Sequence, residues 1–226
     1  MNAGATTSAV LRATTGGRDG DIPGSPLYAF RRRRRPQAIY GVGLWVFIGV
    51  ATTLFSLFIT AYIMRMSSAD AVAIVMPRQL WLSTALLILG SVLLQQARIA
   101  ADEPGLGLQS QRLLMAGGAC ALAFLGAQWW AWQALLAIQV TPAGNPGGSF
   151  FFLLTAMHGL HVIGGLIGFA FAARIVWGPG AGTDAAAWRI ALLARYWHFL
   201  LLVWVALFAT FTWITPEVAR IICRTP

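Results

Sequence analysis

Phe150-Phe-Phe-Leu-Leu-Thr-Ala-Met-His-Gly-Leu-His-Val-Ile-Gly-Gly165 is the stretch that decides how this chain folds. The run stays apolar to Ile175, carries no carboxylate, and meets a single arginine, Arg174, only at its far end. About 20 apolar residues suffice for a helix to cross a bilayer core. In hydrocarbon every backbone N–H and C=O needs an internal partner, so a continuous run of this length must be helical. Four more runs read the same way: Gly41–Met64, Leu80–Gln96, Leu113–Ile138 and Ile190–Ile214. The second is the shortest, and Gln95 and Gln96 at its end are expected to reach toward the headgroups. None alternates as a membrane β-barrel strand does. The expected fold is an all-α membrane protein, a bundle of five transmembrane helices.

Composition agrees. The 226 residues are 58% hydrophobic and 10% charged, whereas soluble domains are about a quarter charged. The net charge is +9, and all sixteen basic residues are arginine. A basic balance can signal nucleic acid, but these arginines flank apolar runs and form no folded face, so no nucleic-acid partner is expected. Twelve arginines fall to one side of the five runs (Arg12, Arg18, Arg31 to Arg35, Arg98, Arg112, Arg174, Arg189, Arg195) and four to the other (Arg65, Arg78, Arg220, Arg224). The positive-inside rule then makes the N-terminus cytoplasmic and the C-terminus periplasmic. Tryptophans cluster near the ends of the runs, with Trp45, Trp177, Trp188 and Trp197 on one side and Trp81, Trp129, Trp130, Trp132 and Trp213 on the other, as aromatic belts do.

Three regions follow. Residues 1–40 are a basic tail ending in Arg31 to Arg35 and Pro36, expected to be disordered or loosely surface-bound. It does not read as a signal peptide, because its basic region lies far from the N-terminus and the apolar run behind it is too long. The arginine run should help set orientation and attract anionic headgroups, at about 1 kcal/mol per residue. Residues 41–215 are the membrane domain, and residues 216–226 a short tail. The loops are too short to build an extramembrane catalytic site.

Polar residues inside a span are the default places to look for function. The seven acids, Asp19, Asp21, Asp70, Asp102, Glu103, Asp184 and Glu217, are all read as tail or loop residues, which argues against a self-sufficient pump or transporter. All three histidines fall at spans: His158 and His161 in the fourth, and His198 opening the fifth in Tyr196-Trp-His-Phe. Histidines three apart share a helix side. The sharp reading is a metal or haem site. The plainer one is hydrogen bonding between helices, tying the fourth to the fifth or to a partner, since a metal needs more converging ligands. No catalytic, cofactor-binding or metal-binding residue is therefore assigned. Gly164 and Gly168 form a small-xxx-small pair that lets another helix approach closely. Thr52, Thr53, Ser56 and Thr60 are expected to bond back to their own helix backbone. Cys120 reads as apolar filler, and with Cys223 it makes no disulfide scaffold.

At these residues the sequence resembles a known family. Trp45-Val-Phe-Ile, the 151–165 stretch, and Tyr196-Trp-His-Phe with Trp204 look like subunit III of haem-copper terminal oxidases, over about residues 40 to 215. The resemblance implies a non-catalytic subunit of a cytochrome c oxidase-type oxidoreductase complex, in aerobic respiratory electron transport, in the bacterial inner membrane. It implies subunits I and II as partners and cytochrome c, or less readily quinol, as the donor to the complex. Haem and copper would sit in the partner subunits, not here. It also implies bound phospholipid, support of proton uptake into subunit I, and protection of that subunit during turnover. Five spans match the shorter bacterial type. His158, His161, Gly164, Gly168, Tyr196, Trp197, His198 and Trp204 would be structural and interface residues. Two positions depart from the family pattern: Ala51 stands where a glutamate is common, and Leu201 where an aspartate is. Those absences shift the implied role from proton handling toward assembly and protection of a catalytic partner. Alternatives are an accessory subunit of a nitric oxide reductase, a stand-alone transporter, which would call for inverted repeats or buried charge, and a membrane haem protein, which would call for histidines on facing helices.

Overall fold

A computed structural model describes residues 26–68, 76–103, 107–140, 146–178 and 184–223. Among them are six helices: α1 (Pro26–Met66), α2 (Gln79–Asp102), α3 (Gly107–Ala137), α4 (Pro146–Val176), α5 (Asp184–Trp213) and α6 (Pro216–Cys223). Five are long and apolar enough to cross a membrane. The chain is thus an all-helical, multi-pass membrane protein.

The spans are longer than their apolar runs. α2 to α5 have 24, 31, 31 and 30 residues, so at 1.5 Å per residue they reach about 36–46 Å. The hydrocarbon core is only about 30 Å thick. At that length the excess turns would reach into the headgroup layer, where polar side chains are solvated. α2 therefore runs past Gln96 through Arg98 to Asp102, α3 opens before Arg112, and α5 opens at Asp184, ahead of Arg189 and Arg195. Two of the acids read as loop residues, Asp102 and Asp184, are helix termini instead. The stretches between those termini still contain no Asp or Glu. Asp184 sits in the first turn of α5, where the helix dipole favours a negative charge.

The chain divides into two compact units, residues 1–43 and residues 44–226. In the first, helix begins at Pro26 and takes in Arg31 to Arg35, where a disordered tail to residue 40 was expected. Proline suits the first helical position and arginine is a good helix former. Residues 1–25 lie outside the described residues, as do Asp19, Asp21 and Asp70.

In the second unit, α2 packs on α3 and α5, and α4 packs on α5 and α3, closing a ring of four helices. Small residues set the spacing. A Cβ at Gly117 would meet Leu94 Cγ at 2.8 Å, and one at Gly118 would meet the Phe169 ring at 2.6 Å. Leu80, Leu87 and Leu94 of α2 and Leu114, Phe124 and Leu135 of α3 are fully buried. α1 stands outside this ring. Only 11% of its most apolar stretch is buried, against 39–50% for the other spans. It leans on the ring through Tyr62, whose centroid lies 5.5 Å from that of Phe211 and 6.1 Å from that of Phe150. The hydroxyls of Thr52, Thr53 and Thr60 donate to carbonyls four residues back, at 2.7, 3.0 and 2.9 Å, as expected.

Helix ends follow local rules. α3 stops in a Schellman turn: Val140 N–H donates to Leu135 C=O at 3.1 Å and Gln139 N–H to Leu136 C=O at 3.1 Å. This puts Gln139 at φ 62°, a left-handed conformation that costs a side-chain-bearing residue about 1–2 kcal/mol. Gln139→Gly should therefore stabilise the chain by about 0.5–1 kcal/mol, read as a higher thermal-unfolding midpoint in detergent. Gln139→Ala should give no such gain.

The C-terminal segment 216–226, read as a tail, carries α6. Thr215 caps it, accepting from Val218 N–H at 3.5 Å, and Pro216 takes the first helical position. Hydrogen bonds from the backbone and from Thr215 hold the Glu217 carboxyl below its ordinary value, with Arg220 adding attraction.

Candidate functional site

The residues singled out in the sequence converge on α4 and α5, but not in the pairing expected of them. His158 is fully buried. Three rings enclose it: Trp204 of α5 at 5.2 Å, Phe124 of α3 at 5.6 Å and Phe55 of α1 at 6.4 Å between centroids. Neither of its ring nitrogens has a hydrogen-bond partner among the described residues. His158 thus acts through its ring faces and edges rather than through hydrogen bonds.

His161, one turn on, is half-buried, and its Nδ1 lies 2.7 Å from Met157 C=O. A carbonyl only accepts, so Nδ1 carries the proton. The ring rests against Phe55 and Phe47, with centroids at 5.2 and 5.7 Å. Phe55 therefore touches both histidines, and through them α1 is held to α4. The tie between α4 and α5 comes instead from Tyr196, whose hydroxyl donates to His161 C=O at 2.8 Å.

His198 does not open a span. It sits fourteen residues into α5, and it faces α2 rather than α4. Its Nε2 lies 3.2 Å from Gln95 Oε1 and its Nδ1 2.6 Å from Ser91 Oγ. The amide oxygen only accepts, so Nε2 donates to it, and in the neutral ring Nδ1 accepts from the Ser91 hydroxyl. Gln95, read as reaching for headgroups, is turned into this contact. His198→Ala should cost about 1 kcal/mol, read as a lower unfolding midpoint. The same substitution at exposed Gln96 should be near neutral.

Within this chain the close approach on α4 falls at a different glycine from the Gly164 and Gly168 pair. Gly164 and Gly168 lie on an exposed face of α4, and a Cβ at Gly168 would meet nothing within 4 Å. The close approach occurs at Gly165. A Cβ there would lie 2.7 Å from Trp197 Cζ3 and 2.8 Å from Tyr196 Cε1. Trp197, read as part of an interfacial belt, is fully buried. Trp204 is buried as well, and its Nε1 donates to Thr84 Oγ1 of α2 at 2.9 Å. Sequence reasoning missed Ser91, Thr84, Phe55, Phe124 and Gly165, all of them partners whose roles depend on helix rotation.

Ala51, the first of the two departures that the resemblance implies, is 2% exposed and faces the protein interior. Leu201 is half-buried against the core. Among the described residues no group of three or more His, Cys, Asp or Glu is placed to hold a metal ion.

The spans and this aromatic core define a multi-pass helical protein in which Ser91, His198, Tyr196 and Trp204 make hydrogen bonds between helices. No family model matches the chain. Among curated proteins it is similar to the "Probable cytochrome c oxidase subunit 3" of Nocardia farcinica, 38% identical over 87 residues, which are 38% of this chain and 42% of the relative. The protein of the same description from Mycobacterium leprae is 40% identical over 88 residues, 38% of this chain and 43% of that one. The "Cytochrome bo(3) ubiquinol oxidase subunit 3" of Pseudomonas aeruginosa is 32% identical over 127 residues, 55% and 59% of the two chains. The chain thus spans about half the length of the curated relatives it matches. These homologues support the haem-copper oxidase subunit III family, as the motifs of the fourth and fifth spans imply.

Proposed function

We propose that this chain is the non-catalytic subunit III of a haem-copper terminal oxidase, serving aerobic respiratory electron transport from the bacterial inner membrane. Its N-terminus is cytoplasmic and its C-terminus periplasmic. Subunits I and II hold the haem and copper, and cytochrome c delivers electrons to the complex. The observation that carries this reading is the 38–40% identity to proteins described as cytochrome c oxidase subunit 3.

The task of the chain in that complex is assembly and protection of subunit I. The buried position with the best claim to a carboxylate holds Ala51, and no Asp or Glu stands between the terminal residues of any described span. Assistance to proton uptake would then depend on acids of a partner. Bound phospholipid fits the exposed apolar faces of α1 and α4.

The test is to purify the tagged full chain in mild detergent, identify the proteins that accompany it, and record the visible spectrum. Recovery with a haem-copper subunit I and its haem bands is the expected result. Recovery alone and colourless would overturn the reading. Recovery with a complex that reduces nitric oxide but not oxygen would move the chain to a nitric oxide reductase. His161→Ala should lower the yield of intact complex more than the turnover of each complex recovered.

A further inference from the structure

α6 begins where the last span ends. The 30 residues of α5 reach about 45 Å, about the thickness of a bilayer with its headgroups. Trp213, its final residue, is 73% exposed, as befits the level where interfacial tryptophans collect. Ile214 and Thr215 alone separate it from Pro216, a reach of at most about 10 Å. From there α6 does not project away from the bundle, because Pro216 and Ala219 are both buried. The helix is therefore held at the rim of the bundle, level with the headgroups.

At about 100° per residue, α6 has three sectors. Pro216, Ala219 and half-buried Cys223 share the one that meets the protein. Glu217 and Arg220 share the second, and both are exposed. Arg220 Nε donates to Pro216 C=O at 3.3 Å, which keeps that side chain along its own helix. Val218, Ile221 and Ile222 share the third, about 100° wide, and all three are exposed, Ile221 by 76% and Ile222 by 55%. A surface helix of a soluble protein turns its apolar stripe inward. α6 does the reverse, with small residues inward and branched aliphatic ones outward. The sector centres lie about 110–130° apart. With the first sector against the bundle, the charged and the aliphatic sectors take the two remaining sides, so one can face water while the other faces the membrane.

We propose that α6 lies in the plane of the bilayer surface as an interfacial anchor, with Val218, Ile221 and Ile222 sunk among phospholipid acyl chains and Glu217 and Arg220 turned to water. The level at which the bundle holds α6 selects a lipid surface as the partner of its aliphatic sector. A protein partner fits less well. Three side chains fall far short of the roughly 20–30 residues a side of a stable protein interface, and the sector offers no aromatic or arginine anchor of the kind such interfaces concentrate. The anchor does not depend on which complex the chain joins.

The test uses the full chain, purified with whatever accompanies it and reconstituted into vesicles of phosphatidylcholine and phosphatidylglycerol. On a background of Cys120→Ala and Cys223→Ala, the single changes Glu217→Cys, Val218→Cys, Arg220→Cys, Ile221→Cys and Ile222→Cys would each be spin-labelled, and collisions with oxygen and with a water-soluble nickel chelate compared. Oxygen should prevail at 218, 221 and 222, placing those labels about 5–10 Å below the headgroup boundary, while nickel prevails at 217 and 220. Nickel prevailing at all five positions would put α6 in water and overturn the proposal. Labels at 218, 221 and 222 that are immobile and reached by neither reagent would overturn it in favour of a protein partner. A membrane-partitioning carbene probe applied to the unaltered chain gives a check free of any variant. It should label Val218, Ile221 and Ile222 and spare Glu217 and Arg220, and failure to label the three aliphatic residues would overturn the proposal even if no cysteine variant folds.

Discussion

Gly165→Ala should weaken the packing of α4 on α5 by about 1–3 kcal/mol, the usual cost of overfilling a packed interior, while Gly168→Ala should leave the isolated chain unchanged. The two positions lie on one helix, three residues apart, and differ in what a new methyl group meets. At Gly165 it would press on Trp197 and Tyr196 at under 3 Å. Neither ring is free to retreat. Trp197 is fully buried, and Tyr196 is fixed by its bond to His161 C=O. At Gly168 nothing stands within 4 Å. Unfolding midpoints of the two variants in one detergent decide the matter. Equal midpoints would mean that α4 is rotated from the orientation described. A large loss at Gly168 seen only in the assembled complex would mark that face as a contact with a partner.

Trp204→Ala should cost on the order of 3 kcal/mol, toward the low end of the range for removing a buried tryptophan. The low end applies because unfolded helices in a bilayer already lie among apolar chains, so what is lost is contact rather than transfer from water. The indole is wedged against Phe124 at 5.2 Å and His158 at 5.2 Å, and no neighbour can fill its volume. Trp204→Phe separates the ring from its N–H. It should keep most of the packing and lose about 0.6 kcal/mol for the bond to Thr84. The ratio of the two losses, from reversible unfolding in mixed micelles, distinguishes a packing role from a hydrogen-bonding one. A Phe variant as damaged as the Ala variant would show the Thr84 bond to dominate.

The five spans were legible because hydrocarbon leaves a long apolar run no other way to satisfy its backbone. Their ends were not, since hydropathy reads the thickness of the bilayer core, while helix continues into the headgroup layer until a capping signal stops it. Arg98, Arg112 and Arg195 are helical for that reason. The importance of the helix-four and helix-five motifs was also legible, from histidines and aromatics where lipid-facing residues would do. Their pairing was not. A residue's facing direction turns by about 100° per position, so Gly164, Gly165 and Gly168 look alike in a sequence, and only helix rotation puts Gly165 at the contact. The same limit hid Ser91 and Gln95 as the partners of His198.

The loose seat of α1 bears on the order of synthesis. Its contacts, Phe55 with His158 and His161, and Tyr62 with Phe150 and Phe211, all lie at least 88 positions further along the chain. At about 5–20 residues per second, the first span waits on the order of ten seconds for partners that do not yet exist. It must reside alone in the bilayer meanwhile, and its mean hydropathy of 2.2, the highest of the five spans, suits it to that solitary interval.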